Sequence, residues 1–367
     1  MTDQLPAHYK TALIKATIPH YVAIAFMVSM LGAAALISIS SLLGGDLSAA
    51  LAFGFGFLFL AWLYTTPLVT NLLYIHMHNH LYDRDHGRVE AAFSRAIGIL
   101  KRLPVYKGPY IPGLLSNLGV ARLKRGHYES AESLFRDALQ QAQMFHKHRG
   151  GKGWIPSLAV LHNNLAVSCV RQNNHVEAEL IVERGIELVT KANNTRFESY
   201  LAPLYLVTGV IRSDLGELAE AEEPILKAID FGQRPSKPWG MAPYSKTFDL
   251  QCNLQLALLY ARRGDFAKAD PICDHILGQH LAPFSTLSLR PLNSLAGEYL
   301  DQEAYSRSER LLEIAYAIAR DCPFHPDSKK TLLCFEKHLK LTDRQGEIAD
   351  MRSWLRPVTS DPIARIQ

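Results

Sequence analysis

The stretch Leu115-Ser-Asn-Leu-Gly-Val-Ala-Arg-Leu-Lys-Arg-Gly-His-Tyr-Glu-Ser-Ala-Glu-Ser-Leu-Phe-Arg-Asp-Ala138 decides the fold. It reads as two short helices on either side of a break at Gly126-His127-Tyr128. With the first helix starting at Pro112, Leu115, Leu118 and Gly119 make its inner stripe, and Ala131, Phe135 and Ala138 make that of the second. The logic of the spacing is packing. Gly119 and Ala131 sit where the helices approach closely, and the large residues fill the gaps around them.

The pattern recurs. Leu165-Ala166 with Ala178 marks a second copy, and Gly209, Gly216, Ala221 and Ala228 mark a third. Leu256-Ala257, Tyr260, Gly264, Phe266 and Ala269 mark a fourth. Leu295-Ala296, Tyr299, Tyr305, Leu312 and Ala315 mark a fifth, with Ser308 where Ala is usual. A degenerate sixth runs from about Lys330 to Leu355, with His338-Leu339 in place of the small residue, and is expected to cap the array. These units resemble tetratricopeptide (TPR) repeats. The small-residue positions 119, 166, 209, 257 and 296 lie 47, 43, 48 and 39 apart, against about 34 for an ordinary TPR. That lengthening resembles the kinesin-light-chain-type subclass, as does His162-Asn-Asn-Leu-Ala-Val167. An earlier unit begins near Leu73, with Gly87, Ala92, Ala96 and Pro104 at its turn, second-helix and terminal-proline positions.

Upstream the chain changes character. Between Lys15 and Asp83 the only formal charge is Asp46, flanked by apolar runs from Tyr21 to Leu43 and from Leu47 to about Ile75. Each reaches the roughly 20 residues that a membrane-crossing helix needs. The short Gly44-Gly45-Asp46 connection makes a hairpin, and both runs are longer than the apolar core of a signal peptide. Lys10 and Lys15 before it, and Arg84, Arg88, Lys101 and Arg102 after it, put both termini in the cytoplasm. The expected fold class is therefore all-α: a transmembrane hairpin followed by an α-solenoid of about five to seven TPR-like helix pairs. The domains would be 1–20 (cytoplasmic segment), 21–75 (hairpin), 76–358 (solenoid) and 359–367 (tail). The expected localisation is integral to the bacterial inner membrane. The second apolar helix is expected to continue into the first repeat.

Residues 1–75 carry no net charge, so the whole +4 belongs to the remainder, with 37 basic and 33 acidic residues. That balance is too mild to argue for nucleic acid. Five cysteines (169, 252, 273, 322 and 334) with no CxxC pair read as reduced thiols serving as small core residues. No P-loop, GxSxG, HExxH or Gly-rich dinucleotide turn occurs. The chain is thus expected to be neither an enzyme nor a cofactor protein. Of His76, His78, His80 and His86, only His76 and His80 share a helix face, so no metal is expected.

The TPR resemblance implies a peptide groove lined by the first helix of each unit. Positions matching it are Asn117, Lys124, Asn164, Arg171, Gln255, Arg262, Arg290 and Asn293. Asn117 and Asn164 are equivalent, and an amide can both donate to and accept from a peptide backbone. Lys124 and Arg171 are equivalent and favour an acidic ligand; solvated polar groups on a helix face would look the same. Ser116, Val120, Pro203 and Val207 stand where a chaperone-tail carboxylate clamp wants basic and amide groups, which argues against that role. Three inter-repeat loops, 101–110, 146–154 and 234–239, combine basic charge with aromatics. Lys101, Arg102, Tyr106, Lys107, Lys147, Arg149, Lys152 and Trp154 are expected on lipid headgroups, or else on inert or partner-binding loops. The function implied is a membrane-anchored scaffold holding a protein partner in its groove. The alternative is an accessory subunit of a bacterial envelope complex, for polysaccharide export or secretion, that packs through its hairpin. Partners would be a protein or peptide, the bilayer and other integral membrane proteins.

Overall fold

The computed structural model describes residue 39 and residues 86–102, 110–149, 152–234, 246–278 and 285–354. Its backbone divides into two compact units. One takes Met1–Asn79 and Ala96–Tyr110, of which only Ile39, 96–102 and Tyr110 are described. The other takes His80–Arg95 and Ile111–Gln367 and carries every repeat discussed below.

The described residues form helices and turns without a strand. α1 is His86–Arg102, and six helix pairs follow. They are α2 (Tyr110–Lys124) with α3 (Tyr128–Arg149), α4 (Ile155–Arg171) with α5 (His175–Lys191), and α6 (Leu201–Asp214) with α7 (Leu218–Gln233). Then come α8 (Lys246–Arg262) with α9 (Phe266–Gly278), α10 (Leu289–Asp301) with α11 (Tyr305–Asp321), and α12 (Pro326–Leu341) with α13 (Glu347–Trp354). The sixth pair begins at Pro326, four residues before the expected Lys330, because proline is preorganised for the first turn of a helix.

One turn is repeated six times. The second residue after each first helix takes a left-handed conformation: Gly126, Asn173, Gly216, Gly264, Glu303 and Asp343. They lie 47, 43, 48, 39 and 40 residues apart, so the backbone repeats with the register of the small residues. The following N–H donates five residues back in each case, from His127 to Arg122 O (3.0 Å) through Asn174 to Cys169 O (2.9 Å) to Arg344 to Leu339 O (2.8 Å). This Schellman closure satisfies the last carbonyls of the first helix and reverses the chain.

The small residues do what the pattern requires. A Cβ on Gly119 would lie 2.5 Å from Phe135 Cε1, and one on Gly209 would lie 2.5 Å from Ile225 Cγ1. Ala131, Ala166, Ala178, Ala221, Ala257, Ala269 and Ala296 are buried. Ser308, the exception to alanine, is fully buried and donates to Ala296 O at 2.9 Å, so its hydroxyl is satisfied inside the helix pair. α1 packs as a second helix: Phe93 is fully buried, and buried Glu90 receives Arg122 (3.0 Å) and Arg125 (2.9 Å) from the end of α2. The first helix of that unit, residues 73–85, lies outside the described residues. Cys169, Cys252 and Cys273 are buried, and all five cysteines are free thiols. Burial pushes the Cys169, Cys273 and Cys322 thiols up to about 11, which keeps them protonated.

The described helices contradict the expected membrane localisation. Among the described residues no helix is long and apolar enough to cross a membrane. The physical reason is patterning: even the longest, α3 at 22 residues, carries Glu129, Glu132, Arg136 and Asp137 on its outer side. The two apolar runs lie outside the described residues, Ile39 excepted. The transmembrane hairpin, the bilayer as a partner and the envelope-subunit alternative lose their footing with it. The loop residues change meaning too. Lys101 and Arg102 close α1, and Arg149 closes α3. Lys152 and Trp154 bound a 3-10 turn, while Lys147 is exposed on α3. The Trp154 ring stacks on Phe145 at 5.7 Å, so it packs its own junction. Tyr106 and Lys107 lie outside the described residues.

Candidate functional site: a polar-rimmed cavity among the first helices

The first helices of successive pairs end in a matched register. Lys124, Arg171, Asp214 and Arg262 are each the last residue before the turn, two positions ahead of the left-handed residue. Cations there complement the carbonyl end of the helix; Asp214 breaks the rule and instead neutralises its neighbours. Arg262 Nη1 donates to Ser213 Oγ (2.8 Å) and faces Asp214 Oδ1 (3.4 Å), and Arg290 Nη2 reaches Asp214 Oδ2 (3.2 Å). Arg290 also donates to Val170 O at 3.4 Å.

These ends border a cavity of about 120 Å³. α4 lines it with Val167, Val170 and Arg171, and α6 with Leu206, Val207, Val210 and Asp214. α8 adds Gln251, Leu254, Gln255, Leu258 and Arg262. The fourth wall is the start of α10 and the 3-10 turn before it (Thr286–Ser288), with Ser288 and Arg290. An apolar hole of ~150 Å³ accepts benzene, so this one is the size of a side chain. Its walls are aliphatic, and three arginines stand against one aspartate. Ser288 is 1 % exposed and its hydroxyl has no partner.

Of the eight expected groove residues, Arg171, Gln255, Arg262 and Arg290 meet in this cavity. The other four do not line it. Asn164 Nδ2 donates to Ser116 Oγ of the previous first helix at 3.5 Å. Asn117 Nδ2 is buried without a partner. Asn293 is buried, donating to Asp327 O at 3.2 Å, while its Oδ1 has no partner. Lys124 O accepts from Thr286 Oγ1 at 2.7 Å, and burial lowers the Lys124 ammonium below its usual value.

Arg171 sits deepest. Burial lowers its guanidinium from the usual value, and its acceptors are Leu287 O (2.5 Å) and Asp327 Oδ2 (3.5 Å). Asp327 lies in the first turn of α12, 156 residues further along the chain. Beside it His325 Nδ1 accepts the Asp327 N–H at 3.2 Å, leaving Nε2 to face Tyr128 Oη at 3.4 Å. Tyr128 is pushed up to about 12, by burial first and then by the Asp327 charge. The sequence reading missed Asp214, Ser288, Thr286, His325 and Asp327. Asp214 was within its reach, since it shares the register of Arg171 and Arg262; Asp327 has no register to betray it.

A second cluster lies outside the cavity. Oxygens of Glu132 and Glu177 lie within 4.8 Å of each other and of Cys169 Sγ. Arg136 bridges the two carboxylates at 2.7 and 2.5 Å, and Gln172 donates to Glu132 at 2.6 Å. It is an ion-pair cluster joining α3 to α5.

A tetratricopeptide-repeat family model matches residues 114–143, which is α2 with α3. A second matches 251–274, which is α8 with α9. The chain carries tetratricopeptide repeats. No curated protein matches the sequence. Among solved structures, it is similar to NprR in complex with its cognate peptide NprX, at 10% identity and TM-score 0.54, over 91% of this chain and 90% of that one. It is similar to a Rap protein complexed with Competence and Sporulation Factor, at 14% identity and TM-score 0.53, over 78% and 74%. BtubC (BKLC) from P. vanneervenii matches at 20% identity and TM-score 0.45, over 64% and 91%. At these identities the likeness is one of fold.

Proposed function

We propose that this TPR solenoid is a non-enzymatic scaffold that binds a protein or peptide segment, one side chain of which enters the cavity bounded by α4, α6, α8 and α10. The observation that carries this reading is the cavity itself, with aliphatic walls, three arginines at the rim and a buried serine hydroxyl without a partner. Such a site combines apolar burial with a few convergent polar groups, as ligand sites do. That NprR was solved with its cognate peptide supports the choice of ligand class. Arg171, Gln255, Arg262 and Arg290 are the polar contacts on this reading, while Asn117, Lys124, Asn164 and Asn293 stand outside the cavity wall. The long period, 39 to 48 residues between turns, supports the long-repeat, kinesin-light-chain-like subclass.

The test is selection of peptides from a random display library on the full chain, followed by calorimetry. Val210 is half-buried on the cavity wall, so Val210→Phe fills the space. Selected peptides are expected to lose at least tenfold in affinity, with helix content unchanged by circular dichroism. Equal binding to the filled variant would place the ligand elsewhere.

A further inference from the structure

The repeats of the larger unit close on themselves. Thr286 Oγ1 donates to Lys124 O at 2.7 Å across 162 residues, and Tyr128 Oη meets His325 Nε2 at 3.4 Å across 197. The Gly126 turn lies so near α12 that an added Cβ would be 2.2 Å from Pro326 Cδ. The turn of the first pair is thus clasped to the start of the last pair. At the centre of the clasp Asp327 reaches Arg171, one of the cavity arginines.

That contact is poorly made for its surroundings. Both side chains are almost fully withdrawn from solvent (11 % and 4 % exposed), yet they approach only to 3.5 Å. Desolvating two charges is costly unless the geometry compensates, and a good arginine–carboxylate pair is bidentate at about 2.7–2.9 Å. The charge count points the same way. The lining holds Arg171, Arg262 and Arg290 against Asp214, so it carries two positive charges over and suits an anionic group; Asp327, also paired with the exposed Lys330 at 3.3 Å, supplies that group from within the chain. Ser288, buried and unpartnered, lines the same space and offers a hydroxyl donor.

We propose that Asp327 is an internal stand-in for the acidic group of the ligand. It holds Arg171 in the closed state, and a carboxylate side chain of a bound peptide takes its place, releasing the clasp between the Gly126 turn and the start of α12. This rests on the cavity being the peptide site. It makes the ligand an acidic peptide and makes its affinity depend on the work of opening, because a binding-competent state that is only partly populated weakens binding by that fraction.

The test uses the full chain with hexaglutamate, hexalysine and hexaglutamine as probes, read by calorimetry and amide hydrogen exchange. Hexaglutamate is expected to bind and to speed exchange at least fivefold at residues 122–128 and 288–292; the other two leave exchange unchanged. Asp327→Asn should speed exchange at the same amides without peptide and tighten hexaglutamate roughly tenfold. Thr286→Val loosens the clasp without changing any charge, so it should tighten hexaglutamate too, and it keeps the test alive if Asp327→Asn misfolds. Arg171→Gln should abolish the exchange response. Hexaglutamate binding with no change at the clasp overturns the exchange of partners and leaves the cavity as a peptide site. Display-selected neutral peptides that bind where hexaglutamate does not overturn the acidic ligand. If no peptide of any composition binds, both this inference and the reading beneath it fall.

Discussion

Gly209 shows how much one missing Cβ does in this fold. A methyl there would lie 2.5 Å from Ile225 Cγ1 and 3.1 Å from the Ala221 carbonyl, the second of which is backbone and cannot swing away. Gly297, also inside a first helix, has nothing within 4 Å of the same atom. Alanine gains ~1 kcal/mol over glycine in a helix, while overpacking costs ~1–3 kcal/mol. Gly297→Ala should therefore raise the urea midpoint, and Gly209→Ala should lower it by the equivalent of up to about 2 kcal/mol net. The buried histidines make a second prediction at this scale. Burial lowers both His162 and His338 from the ordinary histidine value. A lowered folded pKa means the unfolded chain takes up the proton first, so stability is full above about 6.5 and falls as the pH drops through that value toward the folded one. Melting temperature should decline from pH 7.5 to 5.5, and the slope should flatten in the His162→Gln, His338→Gln double variant.

At the scale of the element, the turn is the repeating device, and its six left-handed positions are not equally well filled. Gly126, Gly216 and Gly264 take the conformation freely, and Asn173 and Asp343 tolerate it. Glu303, with φ 59, has no such excuse; a β-carbon in that region costs ~1–2 kcal/mol. Glu303→Gly should stabilise the chain by about 0.5–1 kcal/mol, part of the strain being offset by the extra freedom glycine gives the unfolded chain. Chemical denaturation at neutral pH measures it, and a lower midpoint would refute it. The helix pairs themselves were legible in the sequence because each is fixed by contacts within about 20 residues: Gly119 to Phe135, Gly209 to Ile225 and Ser308 to Ala296. Such contacts write a period into the chain. The start of α12 was misread by four residues because His338 and Leu339 replace the small residue there, and only Pro326 marks the boundary.

At the scale of the whole molecule, the larger unit is held by contacts that skip four helix pairs, and two glycines isolate their worth. Gly126 and Gly264 occupy the same turn with φ +83 and +74, but only Gly126 faces Pro326. Alanine at 264 should cost the left-handed strain alone, ~1–2 kcal/mol. Alanine at 126 should cost ~1–3 kcal/mol more and speed exchange around Thr286; equal losses at the two sites would mean that the clasp contributes nothing.

The sequence by itself determined the helix pairs, their long period, the TPR character and four of the residues that meet in the cavity. Each follows from short-range packing or from a residue's place in a repeated register, and Asp214 could have been added by the same rule. Only the tertiary structure decided that those four converge, that Asn164 and Asn293 serve contacts between repeats, and that Asp327 closes on Arg171 across 156 residues. The small rotation from each repeat to the next is set by many side chains at once and accumulates along the array. No local pattern records where its sum will bring the last pair against the first.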